Sequence, residues 1–251
     1  MEINKIYQGD CLELMPKHID GKSIDMIFCD LPYGTTQNKW DSVIDLDRLW
    51  REYKRVIKDN GAIVLFAAQP FTSALIMSNP KMFKYDWIWQ KPKGTGHLNA
   101  KKQPMRDKED ILVFYKKQCT YNPQMEQGTP YKDKAGKDHT KSTSMTGSYG
   151  KYTNYRDVNT GFRYPKQVQK FGVVERGTLH PTQKPLFLIE YMIRTYTNEG
   201  DLILDNTCGS GTTGLGAKNL GRNFIMMEQD PDHYETACKR VLTDFVVVKD
   251  G

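Results

Sequence analysis

The chain has 251 residues, 36 Lys+Arg against 30 Asp+Glu, and is 38% hydrophobic and 11% aromatic. That length allows one large domain, or a domain with an appendage, and a core burying roughly 70 to 75% of the unfolded surface, so disorder is set aside. No apolar run approaches the roughly 18 residues that span a bilayer, and the first ten residues lack a basic start followed by an apolar stretch, so the expected location is cytoplasmic. The five cysteines (Cys11, Cys29, Cys119, Cys208, Cys238) are odd in number and never spaced C-x-x-C, which argues against a disulfide framework or a zinc knuckle.

In chain order, residues 3–7 predict a short strand, 12–19 a helix, and 23–29 a buried-type strand that ends at Asp30. A helix follows over 46–57, with Leu46, Leu49, Trp50, Tyr53 and Ile57 on one face and a stop at Asn60-Gly61. Residues 62–67 predict a strand, 70–77 a helix opened by proline, and 85–90 and 110–115 two more strands. From 117 to 178 the periodicity dissolves into a polar stretch carrying eight aromatics, Tyr121, Tyr131, Tyr149, Tyr152, Tyr155, Phe162, Tyr164 and Phe171. A stretch that long without a period reads as a functional insertion or as disorder. Helices over 186–196, 212–220 and 231–242 then alternate with strands over 201–204 and 223–227. Such alternation predicts a mostly parallel sheet with helices on both faces.

Charge is unevenly spread. Residues 91–176 hold 18 Lys+Arg and 8 Asp+Glu, a balance of +10 that leaves −4 for the remainder. A basic segment of this kind can neutralise phosphates, although a solvated loop surface has the same composition.

Ligands in open α/β sheets sit beyond the carboxyl ends of strands, which singles out two places. Asp205-Asn206-Thr207-Cys208-Gly209-Ser210-Gly211-Thr212-Thr213-Gly214 runs from a strand into a helix, and Glu228 ends the next strand, where a carboxylate can bind both hydroxyls of a ribose. Gly209-x-Gly211-x-x-Gly214 matches a dinucleotide fingerprint and points to a nucleoside cofactor without saying which. Asp205 before the turn would repel a pyrophosphate but suits an ammonium group, as in the methionine part of S-adenosylmethionine. The second place is Asp30-Leu31-Pro32-Tyr33-Gly34. An exocyclic amine on adenine or cytosine is a poor nucleophile because its lone pair is delocalised. The Asp30 carboxylate and the Leu31 carbonyl can both accept its N–H hydrogens and aim that lone pair, Pro32 keeps Leu31 extended, and Tyr33 offers a stacking face. A base reaches such a pose only outside its duplex.

These motifs resemble those of the amino-group DNA methyltransferases, in the subgroup whose target-base motif precedes the cofactor motif. Asp30-Leu31-Pro32-Tyr33 resembles their D-P-P-Y tetrapeptide and residues 205–213 their D-P-F-x-G-S-G-T-T loop. His180-Pro181-Thr182-Gln183-Lys184-Pro185 resembles the H-P-T-x-K-P element before the helix lining the methionine pocket. Gly9-Asp10-Cys11 matches the acidic turn that reaches the cofactor's adenine, and Trp87-Ile88-Trp89-Gln90-Lys91-Pro92 is similar to the strand bordering the target pocket. Leu31 departs from the first proline of the tetrapeptide, and Asn206-Thr207-Cys208 from Pro-Phe-x.

The resemblance implies an α/β, Rossmann-like methyltransferase sheet, circularly permuted, with an inserted target-recognition segment. Residues 1–92 would form the catalytic half, 93–178 the insertion together with that half's last strand, and 179–251 the cofactor half. It implies catalytic roles for Asp30, Leu31, Pro32 and Tyr33. It implies cofactor contacts from Asp10, Cys11, Asp30, Lys184, Pro185, Asp205, Asn206, Gly209, Ser210, Gly211, Thr212, Glu228 and Gln229. It implies S-adenosylmethionine as methyl donor, no metal, and adenine N6 in double-stranded DNA as acceptor, with cytosine N4 the alternative. A cognate restriction endonuclease and a homodimer are left open. His97 and His139 are candidate DNA contacts, and His180 either positions or caps the pocket-lining helix. The rivals are an NAD-dependent oxidoreductase using the Gly209–Gly214 loop, a non-catalytic DNA-binding module, and a methyltransferase acting on RNA or a protein glutamine.

Overall fold

A computed structural model describes residues 1–34, 44–130, 142–146, 150–154, 161–173 and 183–242. His139, His180, Pro181, Thr182, Tyr131, Tyr149 and Tyr155 lie outside the described residues. The chain divides into two compact units, Met1–Asn122 with Lys166–Gly251, and Pro123–Pro165.

The larger unit begins β1 (Lys5–Gln8), α1 (Cys11–His18), β2 (Ile24–Asp30), α2 (Leu46–Val56), β3 (Ile57–Ala67), α3 (Phe71–Ser78), β4 (Phe83–Thr95) and β5 (Arg106–Phe114). The smaller unit follows with β6 (Glu126–Gln127), β7 (Ser142–Thr146), β8 (Gly150–Asn154) and β9 (Phe162–Arg163), paired as β6 with β9 and β7 with β8, both antiparallel. The chain then returns with β10 (Val168–Lys170), α4 (Leu186–Tyr196), β11 (Leu202–Asp205), α5 (Thr212–Asn219), β12 (Asn223–Glu228) and α6 (Pro231–Val241).

Eight strands form one sheet in the order β1-β12-β11-β2-β3-β5-β4-β10. Among the described strands of this sheet only β5 runs antiparallel to its neighbours. Two strands from the C-terminal end of the chain therefore sit between β1 and β2, so the carboxyl ends of β1, β12, β11 and β2 form one continuous edge. The strand pleat sorts side chains to opposite faces. Ile27, Cys29, Ile63, Leu65, Leu112 and Phe114 pack with Met15, Leu49, Tyr53 and Leu75 of α1, α2 and α3. Met26, Phe28, Val64, Phe66, Ile111 and Val113 pack with Leu188, Met192, Ala217 and Ala237 of α4, α5 and α6. Each such aliphatic or aromatic side chain, when fully buried, contributes roughly 1.5 to 3 kcal/mol. The helices start where short acceptors cap them: Asp10 on α1, Asp45 on α2 and Asp230 on α6 each accept from backbone N–H groups of the first turn.

Most expected elements appear with ends shifted by one or two residues. The exceptions are β3, which starts at Ile57, and the β4–β5 pair, which runs on to Thr95 and Arg106. The polar 117–178 stretch is not featureless either: β10 joins the main sheet beside β4 through Ile88↔Val168 and Gln90↔Lys170. Two of its aromatics belong to the larger unit's packing, Tyr121 against Tyr196 and Phe171 against Tyr191. Phe162 and Tyr164 are exposed.

Candidate active site

β2 ends on Asp30, whose two carboxylate oxygens are both engaged. The Tyr33 hydroxyl donates to Oδ1 at 2.8 Å, and Lys184 Nζ lies 2.7 Å from Oδ2. The same ammonium is 3.1 Å from Glu109 Oε2 on β5, and the other Glu109 oxygen pairs with Lys91 on β4. Charges thus alternate in sign along Asp30, Lys184, Glu109 and Lys91. Lys184 is buried, with its Nζ 4.9 Å from the Phe66 ring centroid, a position that requires the two carboxylates as counter-ions. Burial and the Glu109 charge push the Asp30 carboxyl above its ordinary range despite Lys184. For Glu109 burial acts in the same direction, but Lys184 and Lys91 together outweigh it and hold the carboxyl low. The Lys184 ammonium is penalised by burial and held charged, with a raised pKa, by Asp30 and Glu109.

Tyr33 stacks on Phe71 of α3, ring centroids 5.2 Å apart at 25°. Burial and then Asp30 push its hydroxyl well above the usual range, so it remains a donor. The Leu31 side chain is buried in the core while its backbone continues the strand end into Pro32.

The second loop lies one strand over. β11 runs parallel to β2 with Leu204 opposite Ile27, and the Thr207 hydroxyl donates to the Asp30 carbonyl at 3.1 Å. That bond ties the two loops directly. Asp205 is buried, accepts from Thr207 N (3.1 Å) and from the Thr213 hydroxyl, and burial, then the charges of Asp30 and Glu228, push it up to about 7. Glu228, at the end of β12, accepts from Gly209 N at 2.8 Å and Asp230 N at 2.9 Å. Gly209 and Gly211 turn the chain with φ of +52° and +78°. Gly211 also lies where a Cβ would come 2.9 Å from Val241, so α6 packs directly on the turn. Arg240 of α6 fastens it, donating to the Ser210 carbonyl and hydroxyl (both 3.1 Å) and to the Thr212 hydroxyl (2.9 Å).

Asp10, Glu228, Asp205 and Asp30 therefore occupy the ends of four adjacent strands. This set of acceptors suits a ligand that presents, in sequence, an amino group, a pair of hydroxyls and a cationic centre, which is the polarity of S-adenosylmethionine. It suits a pyrophosphate poorly, because carboxylates surround the turn and the Gly209 N–H is already used by Glu228. Pro185 opens α4 beside Lys184, and Gln229 is exposed next to Glu228.

Two residues expected at the cofactor have their side chains directed elsewhere. Asn206 is buried and accepts from Tyr53 (2.6 Å) and Cys29 (2.9 Å) while its amide donates to Cys11 Sγ (3.3 Å). The Asn206 and Cys11 side chains are thus core fasteners, and any ligand contact from them is through the backbone. The departure of Asn206-Thr207 from the family's Pro-Phe has the same reason: both side chains tie β11 to β2. Sequence reasoning missed Glu109, Phe71 and Arg240. Glu109 and Asp110 open an apolar run, which was the only signal available for a functional strand end.

A mostly parallel sheet with two carboxylate-bearing loops joined at one edge defines a Rossmann-like transferase fold. A family model described as DNA methylase, covering N6 and N4 methyltransferases, matches residues 24–239. The type II methyltransferase M1.MboII of Moraxella bovis is 31% identical, covering 94% of this chain and 96% of its own length. The DNA adenine methyltransferase YhdJ of Escherichia coli is 27% identical over 96% of this chain and 83% of its own. Among solved structures, the M1.HpyAVI–SAM complex superposes with a TM-score of 0.64 at 26% identity, covering 95% of this chain and 99% of that one. The cytosine-N4-specific PvuII methyltransferase, at 17% identity and a TM-score of 0.68 over 98% of this chain and 89% of its own, shares the fold. The chain belongs to the DNA methylase family, whose enzymes move the methyl group of S-adenosylmethionine to an exocyclic amino nitrogen of DNA. Among the described residues no helix is long and apolar enough to cross a membrane.

Proposed function

We propose that this methyltransferase acts on adenine N6 within a short specific sequence of duplex DNA, on a base extruded from the stack. The observation that supports the reading is the Thr207 bond to the Asp30 carbonyl, which holds the amine-accepting loop against the glycine turn. When bound, S-adenosylmethionine supplies an electrophilic methyl group. Asp30 and the Leu31 carbonyl accept the two N–H hydrogens of the target amine and direct its lone pair along the line of displacement; such alignment can remove roughly 7 to 11 kcal/mol of barrier. As the nitrogen bonds carbon it becomes cationic, and Asp30, with its raised pKa, takes the proton it sheds. Lys184 must yield Oδ2 to the amine, and Glu109, already 3.1 Å away, receives it. Tyr33 and Phe71 provide the aromatic wall for the base.

Adenine is favoured over cytosine N4 by the leading Asp of the tetrapeptide. Residues 93–178 serve as the target-recognition segment in this reading. The type II names of relatives support a cognate restriction endonuclease, and a homodimer in the cytoplasm belongs to the same reading. Modification-sensitive sequencing of DNA from a methylation-free host expressing the enzyme should report N6-methyladenine at one motif. N4-methylcytosine there would overturn the base assignment. Asp30→Ala should lower kcat/KM by at least about 1,000-fold while leaving the Kd for S-adenosylmethionine within about tenfold. Transfer at near wild-type rate would remove Asp30 from the mechanism.

A further inference from the structure

β4 runs parallel to β2 and β3, so the turn joining it to β5 leaves the sheet at the same edge as Asp30 and Asp205. Its root is in the site itself, since Lys91 of β4 and Glu109 of β5 close the ion-pair row that begins at Asp30. From the Trp89↔Glu109 pair the ladder runs to Gln90↔Lys108 and, after a bulge in β4, resumes at Thr95↔Arg106. At about 3.3 Å per residue that projects the tip on the order of 10 to 20 Å outward, comparable with the width of a duplex.

The tip is a tight, internally bonded turn. Asn99 N donates to the Gly96 carbonyl (3.0 Å), Ala100 N to His97 (3.1 Å), and Lys102 N and Gln103 N to Asn99 (2.8 and 3.1 Å). Gly96 sits at φ +89°, the left-handed region, and a Cβ on Gly94 would come 2.9 Å from the Met105 Cβ, so the hairpin is closed and narrow. On it Leu98 is 88% exposed, the highest exposure of any large hydrophobic side chain among the described residues. A lone exposed leucine needs no explanation. This one sits on an internally bonded tip at the active edge, between residues 93 and 106, which carry Lys93, Lys101, Lys102 and Arg106, all exposed, and no carboxylate.

An apolar point flanked by cations, presented at the sheet edge that bears Asp30, matches the chemistry of a polyanion with an apolar interior. We propose that the β4–β5 hairpin is a wedge in which Leu98 enters the DNA base stack and fills the space left by the extruded target base, while Lys101 and Lys102 hold the flanking phosphates. The inference rests on the extruded-base reading above. Unstacking is costly, and an apolar side chain inserted at the step offsets that cost by replacing the lost stacking contacts. The internal hydrogen bonds of the turn matter here, because they order the backbone that carries Leu98 before any encounter.

The test uses the full chain and duplexes carrying the methylated motif, with a fluorescent base analogue at the target position for extrusion and the natural base for turnover. Leu98→Ala should lower kcat/KM on paired duplex by about tenfold or more and remove most of the fluorescence rise, because the wedge substitutes for stacking energy. On the same duplex with an abasic site opposite the target, where little pairing is left to break, it should stay within about threefold of wild type. Leu98→Met should restore both signals. Lys101→Ala with Lys102→Ala should weaken binding uniformly across sequences and reduce the salt slope by about 2. Wild-type behaviour of Leu98→Ala on paired duplex overturns the wedge, as does an equal loss on both duplexes. A change in oligomeric state with extrusion intact overturns it too, by making the tip a protein contact. A wild-type enzyme with neither fluorescence rise nor methyl transfer on any DNA sinks the functional reading itself, which a Leu98-specific result does not touch.

Discussion

Glu109 exerts its effect through a neighbour. It shares Lys184 with Asp30, and its negative charge is one of the causes that raise the Asp30 pKa. Replacing it with Gln removes that charge and leaves Lys184 with Asp30 as its sole carboxylate partner in the row. Two consequences follow with opposite appearance. Asp30 must be ionised to accept the amine, so the acid limb of the kcat/KM profile should move to lower pH in Glu109→Gln. The plateau should fall, because Lys184 now pins Oδ2; a plateau loss of about tenfold without the shift in the limb would assign Glu109 a merely structural part. Asp205 behaves differently. Its carboxyl is pushed up to about 7 by burial, so the folded chain holds a proton that the unfolded chain has released near pH 4. Between those values the folded state binds more protons, and stability falls as pH rises through the window. With ~1.4 kcal/mol per unit, the charged form costs the fold on the order of 4 kcal/mol by pH 8. Asp205→Asn should therefore raise Tm at pH 8 but not at pH 4, while weakening S-adenosylmethionine binding; a lower Tm at pH 8 would contradict the burial argument.

At the scale of elements, strands were legible as short, near-continuous apolar runs, because both faces of the sheet are buried: residues 26–29 and 62–67 put every second side chain against α1 to α3 and the others against α4 to α6. The helices expected over 46–57 and 231–242 begin where Asp45 and Asp230, short acceptors before an amphipathic run, cap their first turns. The outer half of the β4–β5 hairpin was not, because an exposed ribbon has no buried face and its residues read as loop. Glu109 was hidden for a related reason: a carboxylate before an apolar strand looks like punctuation until the sheet order brings α4 and Lys184 beside it. The fastening part of the Asn206 side chain was not legible, because its partners, Tyr53, Cys29 and Cys11, come from three distant segments. That network makes a definite expectation. Asn206→Ala leaves the buried Tyr53 hydroxyl with only the weak Cys29 Sγ acceptor at 3.7 Å, and should cost about 1 to 3 kcal/mol in chemical denaturation with the denaturant slope unchanged.

For the whole molecule, division of labour between the two units is the remaining question, and it is open to a deletion. Both faces of the core, and all four strand ends bearing Asp10, Asp30, Asp205 and Glu228, belong to the larger unit. The points where the chain leaves and re-enters that unit are fastened independently. Asn122 N donates to the Thr195 carbonyl (2.7 Å) and its side chain to the Arg194 and Thr197 carbonyls, while Ile88 N donates to Gln167 and β10 pairs with β4. Removing residues 123–165 in favour of a Gly/Ser linker of about 15 residues costs little loop entropy, since closure depends only on the logarithm of length. The shortened chain should unfold within a few degrees of the parent and keep its Kd for S-adenosylmethionine within about threefold, because none of the four carboxylates is touched. Its methylation should lose the preference for the cognate motif, with the rate on that motif falling by about 100-fold or more, as expected when base contacts go and phosphate contacts stay. A deletion variant that still methylated the cognate motif selectively would move recognition onto the larger unit, and the β4–β5 hairpin would be the element to examine next.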